Sequence, residues 1–324
     1  MKRLMTSCAA LLLIVSAHAA DQQIGLRWSD GITTPTEHIS PAPAQLAYPE
    51  APIALYSQSA LVFDQETGEP LFAKNAQMQT PIASITKLMT AILVLEANQD
   101  LDERITITRD DRDILKGTGS RLAFGSTYSR AQLLHLALIA SDNRAAHALG
   151  REYPGGVGHI VQMMNRKAHQ LGMLNTVYVE PTGLNSANRS TAIDLARLAN
   201  YAYKNLPMIR DITTTGSYSL GTQRVVMRKR HHKSQVYYRS IAFNNTNMLT
   251  RESNWDIGLS KTGFINEAGH CLVMQARVAH KNVIIVLLDS LGKYSRIGDA
   301  ARIRRWLESE PQLHAVTSAS ADKT

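Results

Sequence analysis

Apolar and polar positions alternate along this chain in patterns that divide it into segments. "ALYSQSALVFD" and "PLFAKNA" flank "QETG", in which Gly68 supplies a turn, so a β-hairpin is expected there. A polar start followed by "LMTAILVLEA" predicts a helix from about Ser84 to Glu96, its β-branched residues tolerable if the apolar face is buried. "SRAQLLHLALIA" begins with a cap-like Ser129, carries an apolar stripe and halts at "SDN", after which "RAAHALG" resumes as a short helix. "GHIVQMMNRKAHQLGM" repeats apolar residues at helical spacing, and Thr191 with Asp194 forms a capping box for "AIDLARLANYAYK". Beyond Thr213 the texture changes. "QRVVM", "QVYYRSIAF", "IGLSKTGFI", "HCLVMQARVA" and "NVIIVLLD" are short and rich in β-branched or aromatic residues, which predicts successive, largely antiparallel strands. "SRIGDAARIRRWLE" closes as a helix and residues 311–324 read as a flexible tail. Hairpin, helical block, strands and helix together describe a sheet begun by the N-terminal hairpin and completed by the C-terminal strands, with a helical lobe at about 84–212 inserted between them.

Composition fits a globular protein of enzyme size: 324 residues, 44% hydrophobic and 19% charged, which excludes disorder throughout. The first twenty residues stand apart. Lys2 and Arg3, the apolar run Ala9 to Val15 and the small residues Ala17, Ala19 and Ala20 predict a signal peptide over 1–20, cleaved before Asp21, with a run too short to span a bilayer. Residues 21–44 are rich in Pro, Ala and Thr and read as an extended arm; 45–310 form the folded domain. With Cys8 removed only Cys271 remains, so no intrachain disulfide can form and the core must carry stability, an arrangement suited to a bacterial periplasm. The expected location is therefore periplasmic, soluble or loosely membrane-associated. Loss of Lys2 and Arg3 takes the formal charge from +8 to +6. The most concentrated basic patch, "RKRHHK" at 228–233, reads as a solvated hairpin or loop, or as a contact for an anionic cell-wall polymer or membrane surface. Export and the lack of a nucleic-acid module argue against a nucleic-acid partner.

Three short motifs carry the candidate chemistry. Ser84 and Lys87 stand three residues apart on the predicted helix, so amine and hydroxyl share a face near a helix N-terminus that favours a developing oxyanion. A lysine whose charged form is disfavoured by burial can act as a base. Alone, S-x-x-K is also how an ordinary helix begins. Ser141-Asp142-Asn143 interrupts an apolar helix where a polar loop can face a cleft, and Lys261-Thr262-Gly263 lies within a strand candidate where Gly263 permits close approach, Thr262 can donate a hydrogen bond and Lys261 can attract a carboxylate. Each has a bland reading as turn, cap or solvated lysine; the order and contexts together point to one site. No H-E-x-x-H occurs, His231 and His232 are adjacent, and His135 and His147 read as surface or packing residues, so neither metal nor cofactor is expected.

The three motifs resemble those of the serine penicillin-recognising enzymes. The resemblance covers about residues 45–310. More narrowly, "SITKLMTA", "GTGSRLAFG", "ALIASDNRAAHAL" and "VEPTGLNS" resemble the low-molecular-mass D-alanyl-D-alanine peptidases of family S11, and among them the endopeptidases of Gram-negative bacteria. It implies an α+β, β-lactamase/transpeptidase-like fold with an antiparallel five-stranded sheet, flanking helices and an inserted helical lobe. It implies further that Ser84 is the acyl-ester nucleophile, Lys87 the proton acceptor, Ser141 a proton relay, Asn143 an orienter of substrate and lysine, and Lys261 an electrostatic and substrate-binding group. Thr262 and Gly263 would line the binding strand, and the backbone N–H groups of Ser84 and Phe264 would form the oxyanion hole. The implied partners are peptidoglycan stems and cross-links, with β-lactams as inhibitors.

Three rivals are weighed against the endopeptidase. A class A-like β-lactamase would use Glu180 of "EPTGLN", but its spacing to Asn185 is one residue longer than the E-x-x-x-N pattern, so Glu180 reads as structural and penicillins as inhibitors. A carboxypeptidase of the sister group is expected to continue into a further β-rich domain and a membrane anchor, whereas 61 residues follow Gly263. A non-catalytic peptidoglycan-binding scaffold would not need all of Ser84, Lys87, Ser141, Asn143 and Lys261.

Overall fold

The computed structural model describes residues 53–227 and 235–321, with the side chains of 222–239 and 310–321 left undescribed. The signal-like segment, the extended arm and the basic patch at 228–233 lie outside the described residues. In chain order the elements are β1 (Ser57–Asp64), β2 (Pro70–Lys74), β3 (Thr80–Pro81), α1 (Thr86–Glu96), β4 (Arg104–Thr106), β5 (Thr127–Ser129), α2 (Arg130–Ile139), α3 (Asn143–Arg151) and α4 (Gly156–Gln170). They continue as β6 (Arg189–Ser190), α5 (Ala192–Asn205), α6 (Pro207–Thr214), β7 (Ser217–Met227), β8 (Gln235–Asn244), β9 (Asp256–Ile265), β10 (Gly269–Val278), β11 (Lys281–Ser290) and α7 (Ser295–Ala321).

Five strands form one antiparallel sheet in the order β2-β1-β11-β10-β9. Its central strands are apolar on both faces because both faces are covered. Along β11, Ile284, Val286 and Leu288 join the core under the helical lobe, while Val283, Ile285 and Leu287 join a second core under α7. The period of two thus divides one strand between two cores. On the α7 side, Ile303 and Leu307 pack on Val62, Leu272 and Met274, with Trp306 at the margin. The buried Asp299 carboxylate of α7 accepts from the Tyr56 and Ser57 backbone N–H groups and from Ser57 Oγ, which ties the start of β1 to the last helix.

On the other face α1 is buried all round from Thr86 to Val94, which is why its β-branched residues do no harm. Ser129 does cap α2, in a full capping box with Gln132. At Thr191 only half of the expected box forms: its hydroxyl accepts from Asp194 N, while the Asp194 carboxylate turns away to Asn175 N and Thr176 Oγ1. Two further expectations are corrected. "QRVVM" and "QVYYRSIAF" are strands, but β7 and β8 pair only with each other and stay outside the five-stranded sheet. Residues 311–321 continue α7, where the sequence suggested a flexible tail over 311–324. No helix among the described residues is long and apolar enough to cross a membrane.

Candidate active site

Ser84 was expected to open a helix as a cap; instead it sits in a single 3-10 turn, Ala83–Ile85, immediately before α1. No side chain caps α1, since the Ser84 hydroxyl accepts from Lys87 Nζ at 2.8 Å. Ala83 has a φ of +46°, a conformation unusual for a residue with a side chain, and it kinks the chain so that Ser84 emerges. From Thr80 to Val94 every residue is buried except Ser84. Two glycines hold this kink from outside. A Cβ on Gly183, whose φ is +84°, would lie 1.9 Å from Ala83 O, and one on Gly263 would lie 3.1 Å from Ser84 N. Gly183 has no room for a side chain, and at Gly263 a Cβ would press on the backbone of Ile82 and Ser84.

Lys87 is fully buried, and Nζ reaches three oxygens: Ser84 Oγ at 2.8 Å, Asn143 Oδ1 at 2.7 Å and Thr182 O at 2.5 Å. Burial pulls its pKa down from 10.5 to about 8, against the opposing pull of Glu180, Asp142 and Asp113. Two of the three oxygens are carbonyls, which can only accept. When Lys87 is neutral, its two N–H groups satisfy them and its lone pair is left facing the Ser84 hydroxyl. That geometry permits proton transfer from Ser84 to Lys87.

Asn143 owes its orientation to α3 and to a loop before α2. Asp142 caps α3 through Ala145 N and accepts from Ser120 Oγ, while Asn143 Nδ2 donates to Thr118 Oγ1 at 2.8 Å, which turns Oδ1 toward Lys87. Thr118 is itself fixed by Asp113, whose carboxylate also accepts from Leu115 N and Lys116 N. Ser141 has a φ of +57° and accepts from Lys261 Nζ at 3.0 Å. Lys261 is buried on β9 and donates also to Thr262 O. Burial comes first, then Lys87 and Arg296, in disfavouring its charge, and no carboxylate opposes them.

Thr262 donates to Thr246 Oγ1 at 2.6 Å and so holds neighbouring chain as well as lining the strand. Phe264 is half-exposed and stacks on His270 at 4.3 Å. All three motifs therefore meet: Ser84–Lys87–Asn143 through one amine and Ser141–Lys261 through the other, with Gly263 against Ser84. No motif singles out Thr182, Thr118 or Asp113, although Thr118 lies in "GTGSRLAFG" and Thr182 in "VEPTGLNS", two of the family-like stretches. Nor does any local motif announce Arg296, half-buried on α7 with Nε buried and unpartnered.

Glu180, the residue a β-lactamase would need, is consumed by its own loop. Its carboxylate accepts from Thr182 N and Oγ1, Gly183 N, Asn185 N and Asn188 Nδ2. His147 binds the buried Asp111 and His135 stacks on Tyr218.

A sheet flanked by helices, with a serine and a buried lysine at the kink between them, defines a serine acyl-transfer enzyme of the penicillin-recognising class. The sequence profile of the D-alanyl-D-alanine carboxypeptidase family, peptidase S11, matches residues 46–292. The chain belongs to this family and is a serine DD-peptidase acting on peptidoglycan. It is 45% identical over 266 residues to a D-alanyl-D-alanine endopeptidase of Pseudomonas aeruginosa, covering 82% of this chain and 81% of the relative. A D-alanyl-D-alanine endopeptidase of Escherichia coli is 42% identical, over 78% of this chain and 77% of the relative. Among solved structures, the Streptomyces K15 DD-transpeptidase superposes with a TM-score of 0.68 at 29% identity, covering 79% of this chain and 98% of that one. Penicillin-binding protein D2 of Listeria monocytogenes in its ampicillin-bound form gives 0.65 at 29%, over 80% and 99%.

Proposed function

We propose that the protein is an endopeptidase that hydrolyses D-alanyl-diaminopimelyl cross-links through an acyl-enzyme on Ser84. Ser84 Oγ attacks the D-alanyl carbonyl as its proton passes to Lys87, the peptide C–N bond breaks, and the amine leaves with a proton delivered through Ser141. Water then cleaves the ester and the hydroxyl is restored. The observation that carries this reading is the Lys87 geometry: two carbonyl acceptors, one serine and a pKa brought down to about 8. The backbone N–H groups of Ser84 and Phe264 serve as oxyanion donors, and the open edge of β9 accepts the substrate as an added strand. A substrate carboxylate near Lys261 and Arg296 would offset the burial and the neighbouring cations that disfavour the charged form of Lys261.

The endopeptidase assignment is supported by the two endopeptidase relatives at 45% and 42% identity. A carboxypeptidase reading is favoured by the family description and by a Streptomyces carboxypeptidase relative at 32% identity. Penicillins acylate Ser84 and are released slowly, because Glu180 has no free lone pair to position water. The signal-like first twenty residues and the family support work in the periplasm. Purified cross-linked and uncross-linked muropeptides, digested by wild type and Ser84→Ala and separated by chromatography, test the reading. Dimers should become monomers only with the wild type; release of free D-alanine from pentapeptides with dimers intact selects the carboxypeptidase.

A further inference from the structure

A cavity of about 540 Å³ adjoins the site on the side of Asn143 and Thr182, and no residue of β9 lines it. Its wall is the loop 109–115 with His147, Glu180 and Leu184, and it meets the catalytic cleft through Asn143 and Thr182, which hold Lys87. Three features give it chemical character. Ile114 and Leu115 stand exposed in its lining, 85% and 54%, beside the buried Leu184. The side chains of Arg109 and Arg112 make no hydrogen bond or ion pair with any described residue, and the neighbouring Asp111 and Asp113 carboxylates are already taken by His147, Arg151, the Thr118 hydroxyl and backbone N–H groups. The Asp110 carboxylate makes no hydrogen bond among the described residues and acts on Arg151 only through its charge, so it stands beside the two guanidiniums open to a further partner.

We propose that this recess is a side-chain subsite for the stem residue next to the scissile D-alanyl bond, selecting an aliphatic chain that ends in a free carboxylate. The methylenes lie on Ile114 and Leu184, the carboxylate meets Arg109 and Arg112, and an amine on the same terminal carbon meets Asp110. Guanidinium is suited to the task because it binds a carboxylate in a planar, two-point fashion. Diaminopimelate carries such a carboxylate and amine at the end of its side chain; lysine and an amidated diaminopimelate lack the carboxylate. The inference rests on the proposed action on diaminopimelyl stems and specifies what recognises them.

The test uses the full-length mature protein and two pairs of synthetic substrates, cross-linked dimers and uncross-linked pentapeptides. Within each pair the diaminopimelate before the cleaved D-alanine carries its side-chain carboxylate free or amidated. For wild type, kcat/KM should favour the free carboxylate by about tenfold, the size of a partly solvated charge-assisted contact, with the difference in KM. The Arg109→Gln/Arg112→Gln variant should lose that ratio, with stoichiometric labelling of Ser84 by fluorescent penicillin showing that it is folded. Equal cleavage of free and amidated substrates by wild type, or an undiminished ratio in the double variant, overturns the subsite. If dimers stay intact while pentapeptides are trimmed, the endopeptidase reading fails, and the pentapeptide pair still measures the subsite.

Discussion

At the scale of single residues, the site turns on where Lys87 keeps its protons. A lysine on a solvated helix would be charged at neutral pH and useless as a base; burial brings this one to about 8, where a usable fraction is neutral. With Lys87 in the proposed role of base, acylation by a penicillin should therefore rise about tenfold per pH unit up to roughly pH 8 and level off above it, since only the neutral amine can take the proton of Ser84. The sign follows from the direction of the shift: protonation as pH falls through about 8 removes the lone pair that faces Ser84. Lys87→Ala should acylate about 10²–10⁴-fold more slowly and lose this pH dependence, as read by stopped-flow fluorescence. A variant that keeps both the wild-type rate and its profile would remove Lys87 from the role. The pairing of Ser84 with Lys87 was legible in the sequence because a helix fixes the spacing. Thr182 was not, since it contributes a backbone carbonyl, and a backbone group has no residue type to recognise.

At the scale of elements, the kink before α1 is held by two other elements, the loop of Gly183 and strand β9. Gly183→Ala places a methyl into Ala83 O and demands a left-handed conformation of a residue that avoids it, so a loss of about 1–3 kcal/mol in stability is expected. Thermal unfolding measures that loss, and penicillin labelling should fall with it because Ser84 shifts away from Lys87. Labelling at the wild-type rate in a destabilised variant would show that the kink tolerates displacement. The local patterns read α1, α2 and β9–β11 well, since burial on one or both faces leaves a periodic trace. They misplaced Ser84, read as a cap, because the positive φ at Ala83 is imposed by packing and leaves no trace in an alanine. They also joined β7 and β8 to the wrong sheet, since strand propensity says nothing about which edge a strand meets.

At the scale of the whole molecule, one sheet separates two cores, and the site belongs to only one of them. Leu307→Ala on α7 should cost about 2–5 kcal/mol in chemical denaturation, as a buried leucine truncated to leave a cavity. A single transition is expected, because β10 and β11 contribute side chains to both faces and cannot unfold for one core alone. Two separated transitions would show that the α7 layer unfolds independently. The sequence by itself determined the order of hairpin, helical block and strands, and the three motifs whose side chains carry hydroxyl, amine and amide. Those are properties of residue type and spacing, and they are written locally. Only the tertiary structure decided that Lys87 is buried, that Glu180 is spent on its own loop, that the charge of Arg296 acts on Lys261, and that Arg109 and Arg112 line a recess shared with Asn143 and Thr182. Burial, proton affinity and the pairing of charges depend on neighbours far away in the chain, and those neighbours exist only once the chain has folded.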